Sequence, residues 1–138
     1  FNTEAQFALP ETQGRWLEVA NSDQVERVIT SVRETLPSGG TSLYNAFEFL
    51  NELDSEPDNI FIITDGLPTQ GKDTPRKNTV SGPARLKHFR DAVDKLPDNV
   101  PVNVVLSPME GDPMAASEFW KLAQNTGGSF MAPAEDWP

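Results

Sequence analysis

The chain has 138 residues, one histidine and no cysteine, which leaves room for one domain, 1–138, and excludes disulfide scaffolds, zinc ribbons and thiol chemistry. Its formal charge of −10, from 21 acidic against 11 basic residues, argues against non-specific nucleic-acid binding and against an anionic membrane surface, and suits cationic partners or metals. No run approaches the ~18 apolar residues of a membrane span, and no signal peptide is visible.

Residues 1–9 and 14–20, separated by Pro10-Glu11-Thr12-Gln13, read as two extended pieces joined by a turn, an antiparallel edge. Asn21-Ser22-Asp23 offers capping side chains, and Asp23 with Glu26 repeats the capping-box spacing. Val25, Val28, Ile29, Val32 and Leu36 follow at helical intervals, predicting a core-packed helix that Pro37-Ser38-Gly39 ends. A second helix starts near Thr41 with Leu43, Ala46, Phe47, Leu50 and Leu53 on one face. Ile60 to Ile63 is continuously apolar, the pattern of a central strand covered on both faces of a mostly parallel sheet. The polar loop from Gly66 to Pro83 is long for a compact domain.

A helix from about Ala84 to Leu96 places Leu86, Phe89, Val93 and Leu96 inward. Val100 to Leu106 is a second buried strand, with Pro101 tolerable at its start. Pro113 suits the first turn of a helix running to Asn125, where Phe119, Leu122 and Ala123 face inward, and Gly127 suits its left-handed stop. Ser129 to Met131 is a short last strand, and Trp137 closes the core or an interface. Strands alternating with helices, without internal repeats, predict an α/β layered sheet.

The stretch from Pro37 to Gly71 carries the chemistry. Asp65 stands at the carboxyl end of the first buried strand, where open parallel sheets place their ligands. Thr41 opens the preceding helix after Gly39-Gly40, so its hydroxyl is expected at the same edge. Two hard oxygen donors there suit magnesium, which takes one or two protein carboxylates and keeps several waters. Each residue also has a plainer reading: Asp65-Gly66 with Pro68 is good turn chemistry, and threonine is a favoured N-cap.

Gly39-Gly40-Thr41-Ser42-Leu43 and Ile62-Ile63-Thr64-Asp65-Gly66 resemble the threonine loop and the aspartate strand of the von Willebrand factor type A domain. The resemblance implies a three-layer Rossmann-like α/β fold with helices on both faces of a mostly parallel sheet and an antiparallel edge strand. It implies a metal-ion-dependent adhesion site in which Thr41 gives a hydroxyl and Asp65 a carboxylate to Mg2+, with Mn2+ or Ca2+ as substitutes. Gly39, Gly40, Ser42, Gly66, Leu67 and Pro68 would form its rim, and a protein partner would bring an acidic side chain to the metal. That family's first strand carries Asp-x-Ser-x-Ser, and no aspartate here is followed by serines at those offsets. Phe1 to Pro10 resembles the end of the family's second strand, so the chain reads as a fragment whose first strand and first helix lie upstream. The resemblance also leans towards a bacterial extracytoplasmic protein anchored upstream, over a cytoplasmic one.

The expectation is a binding module and not an enzyme. A magnesium-dependent phosphohydrolase using Asp65 is the alternative, although no Gly-x-x-x-x-Gly-Lys run occurs. A metal-free domain that has lost its site is a third reading. His88 reads as a solvated surface residue, which discounts a Ser-His-Asp hydrolase. Six of the eleven basic residues, Lys72, Arg76, Lys77, Arg85, Lys87 and Arg90, form either a solvated face or a dock for an acidic partner. Glu110 and Asp112 border the sheet edge, with Asp112 read as serving the next helix through its dipole.

Overall fold

A computed structural model describes residues 1–12, 14–36, 38–74, 79–107 and 109–133. Trp137, Pro37, and Arg76 and Lys77 of the basic cluster lie outside the described residues. Strands β1 (Ile60–Thr64), β2 (Val102–Leu106) and β3 (Phe130–Met131) alternate with helices α1 (Ser22–Glu34), α2 (Leu43–Leu50), α3 (Gly82–Val93) and α4 (Ala115–Thr126). The strands form one parallel sheet in the order β1-β2-β3. Register runs from Ile60 opposite Val102 to Thr64 opposite Leu106, with Val104 opposite Phe130. The chain therefore has an α/β fold with helices packed around a parallel sheet.

Period-two alternation in the strands builds the core. Ile60 and Ile62 of β1 join Val102, Val104 and Leu106 of β2 on one face, where Leu43 and Phe47 of α2, Phe89 of α3 and Phe119 and Leu122 of α4 meet them. Phe89 and Phe119 pack edge to face with ring centroids 5.0 Å apart. Gly127, at φ 75°, is the left-handed stop of α4, and Gly128 N–H donates to Ala123 C=O at 2.8 Å.

Three expectations change. Among the described residues β1 is an edge strand covered on one face only: Phe61 and Ile63 point to the other face and are 73% and 76% exposed. A continuous apolar run cannot distinguish a strand that is covered twice from one whose second cover is not in place. The backbone groups of these two residues also face the open edge, because those of Ile60 and Thr64 serve the β2 ladder. A cleft of about 230 Å³ follows this edge between Phe1, Ala5 and Gln6 and the strand.

Residues 1–9 and 14–20 form no strand among the described residues; Pro10–Thr12 is a short 3-10 turn. Two extended pieces that do not join the sheet gain too little from pairing with each other alone. Residues 1–7 are held instead by Phe7 packed at a tilt against Phe49 and by Asn2 and Thr3 C=O groups accepting from Ser42 N–H and Asn45 Nδ2, both at 2.8 Å. Finally, α1 is capped by Asn21, whose side chain accepts from Gln24 N–H, yet none of its residues is buried. Its stripe stays exposed at Ile29, Val32 and Leu36, so the expected core packing of α1 is absent. The helix instead pairs Arg27 with Glu11 and bonds Ser31 to Ala8 C=O.

No helix among the described residues is long and apolar enough to cross a membrane.

Candidate functional site

At the carboxyl end of β1 the chain turns sharply, and its backbone is pinned almost residue by residue. Thr64 C=O accepts from Ser107 N–H at 2.8 Å, and Asp65 C=O accepts from Met109 N–H at 3.2 Å. The Thr64 hydroxyl donates to Gly66 C=O at 3.1 Å. Leu67 N–H donates to Asp112 Oδ2 at 2.7 Å, and Leu67 C=O accepts from Arg85 Nε at 3.1 Å. Further on, Thr69 and Gln70 N–H both donate to Thr41 C=O at 3.0 and 3.1 Å, and Thr41 N–H donates to Thr69 Oγ1 at 2.8 Å. The aspartate turn and the threonine loop are therefore one hydrogen-bonded unit.

Thr41 is not the N-cap of α2. Ser42 takes that position: its hydroxyl accepts from Asn45 N–H at 3.1 Å and donates to Gly71 C=O at 2.7 Å. The Thr41 hydroxyl is thereby released from capping. Thr41 and Asp65 line one cleft of about 280 Å³ with Gly39, Gly40, Asn2 and Glu4, and among the described residues no basic side chain lines it. Asp65 is exposed, and its carboxylate makes no ion pair or hydrogen bond among the described residues. The cleft is thus lined by Thr41 and by two acidic residues, Asp65 and Glu4, whose oxygens are of the hard kind that suits magnesium. No group of three or more His, Asp or Glu side chains able to hold a metal occurs among the described residues.

Of the other rim positions, Gly39 and Gly40 line the cleft, whereas Ser42, Gly66, Leu67 and Pro68 are buried and do not line it. A methyl group on Gly40 would stand 2.9 Å from both Gln70 Oε1 and Thr69 Oγ1, so the loop passes close over the aspartate turn. Gln70 is 2% exposed, and its Nε2 is buried without a hydrogen-bond partner among the described residues.

Among the described residues of the basic cluster, Lys72, Arg85 and Lys87 each take a separate acidic partner. Lys72 pairs with Glu48 at 3.7 Å and Lys87 with Asp91 at 2.5 Å, both exposed pairs of small energetic weight. Arg85 is turned inward to Asp112 at 2.8 Å, and the two side chains are only 15% and 5% exposed. Asp112, read as a helix-dipole residue, is part of the turn's support. His88, read as solvated, is half-buried with its ring against Gly71, and burial lowers its pKa while Asp91 opposes the shift. Sequence reasoning missed the roles of Thr69, Arg85 and Asp112 because their partners lie 28, 18 and 45 residues away, leaving no local signal.

Comparison of the chain with protein-family models, curated proteins and solved structures gives no match.

Proposed function

We propose that the chain is a metal-ion-dependent protein-binding module of the von Willebrand type A kind, in which Thr41 and Asp65 contribute to a magnesium site at the sheet edge. The observation that carries this reading is the contrast at Asp65. Its backbone and that of its neighbours are fixed by hydrogen bonds, while its carboxylate is left unengaged among the described residues in a cleft shared with Thr41. A turn aspartate serving only local structure would be expected to spend its oxygens on nearby N–H groups. Bound magnesium would supply positive charge and an open position for a carboxylate of a partner protein. That Thr41 and Asp65 line the same cleft supports this reading.

The open edge of β1 supports the same reading. A further strand laid along it would cover the exposed backbone of Phe61 and Ile63 and end beside Asp65.

Thr41 offers a clean test, because its backbone bonds do not involve its hydroxyl. Thr41→Val keeps the shape, leaves the bonds to Thr69 and Gln70 intact and removes the donor. In a calorimetric titration with manganese chloride, Thr41→Val should bind roughly tenfold more weakly than the wild type, and Thr41→Ser should bind nearly as well. Equal affinity for wild type and Thr41→Val would remove Thr41 from the site.

A further inference from the structure

We infer that Arg85 and Asp112 are positioning residues for the Thr41 and Asp65 edge, an inference that rests on the metal-site reading above. Asp112 Oδ2 takes the N–H of Leu67 at 2.7 Å, while the Arg85 guanidinium takes the C=O of the same residue through both Nε and Nη2. The two side chains also pair with each other at 2.8 Å. Both backbone groups of Leu67 are thus satisfied by one ion pair, brought together from α3 and from the loop that leads into α4.

Leu67 stands two residues after Asp65 and two before Thr69, whose hydroxyl holds Thr41 N–H. Fixing Leu67 therefore fixes the turn on both sides, towards the carboxylate and towards the threonine loop. Space around the clamp is tight: a methyl group on Gly66 would lie 2.6 Å from Asp112 Oδ2 and 3.1 Å from Arg85 Nη2. The planar fork of arginine matters here, because one guanidinium must reach a carboxylate and a carbonyl at once. A lysine at this position would keep the charge and lose the second contact.

This arrangement differs from an ion pair that only stabilises the core. A buried pair replaced by apolar residues of similar volume often leaves stability unchanged or raised. The double variant Arg85→Met/Asp112→Leu should accordingly fold, but Leu67 would lose both of its clamps. Amide hydrogen exchange and calorimetric titration with manganese chloride separate the two roles, each run on the wild-type chain, the double variant and Asp65→Ala. The expected result is faster exchange, by about tenfold or more, at Leu67, Thr69 and Gln70 in the double variant, with α4 amides still protected. Its manganese affinity should fall by about tenfold or more, the usual effect of losing an outer-shell partner.

Should the double variant fold poorly, Arg85→Lys takes its place and is expected to show the same changes in smaller measure. Wild-type exchange in the turn, or wild-type manganese affinity in either variant, overturns the inference while leaving the metal reading intact. Equal manganese uptake by wild type and Asp65→Ala, or none by either, overturns the metal reading itself and the inference with it.

Discussion

Alanine at Gly128 is expected to destabilise the fold by more than about 4 kcal/mol, in the range reserved for a lesion the structure cannot absorb. A Cβ placed there would lie 2.0 Å from the carbonyl oxygen of Val102 and 2.5 Å from its carbonyl carbon. Those are backbone atoms of β2, held in register with β1, so no side-chain rotation relieves the clash. The crossing is tight because α4 ends on Gly127, returns at once towards the sheet and binds the start of β2 through the Thr126 hydroxyl, which accepts from Val102 N–H at 3.0 Å. Urea denaturation of Gly128→Ala reads this directly. A loss below about 1 kcal/mol would mean that the end of α4 does not pass this close to β2.

Phe119→Ala is the second large effect, at about 3–5 kcal/mol in the same measurement. Phe119 is fully buried, and its contact with Phe89 joins α4 to α3 over the sheet. Removing the ring leaves a cavity lined by β2 and both helices, which are anchored elsewhere and cannot collapse fully into it. The cost should be shared with Phe89: the double alanine variant is expected to lose less than the sum of the two single ones, since the aromatic pair is counted once in each. Additive losses would mean that the two rings contribute independently.

The parts of the fold that were legible in the sequence are those governed by local pattern. Leu43 and Phe47 at helical spacing, Gly127 as a left-handed stop and the apolar runs at Ile60 and Val102 each specify their element without help from afar. Burial was less legible than element type. The stripe on α1 and the pair Phe61 and Ile63 have apolar patterns, but the pattern does not say what covers them, and here those side chains remain exposed. Residues 1–20 misled in the opposite sense, since an extended pattern needs a neighbouring strand to become a sheet edge.

That Thr41 and Asp65 would meet at one sheet edge was legible, because an acid after a buried strand falls at the strand's carboxyl end, and the two residues do line one cleft. Capping rules fit Thr41 and Ser42 equally well; the backbone places Ser42 at the cap and thereby releases Thr41. The support of the aspartate turn was hidden in residues that look ordinary. Arg85 reads as one charge in a basic run, and Asp112 as one more acid before a helix. Only the fold brings them together at Leu67, leaving Lys72 and Lys87 in exposed pairs of their own.

The central claim is that Asp65 is held out as a metal ligand, not spent on its own turn. It is tested most directly by calorimetric titration of magnesium and manganese into the wild-type chain and its Asp65→Ala variant. The account predicts saturable binding to the wild type that Asp65→Ala abolishes, with unchanged thermal stability of the metal-free protein because the carboxylate supports no contact among the described residues. Equal binding by both proteins, or no binding by the wild type, would contradict it.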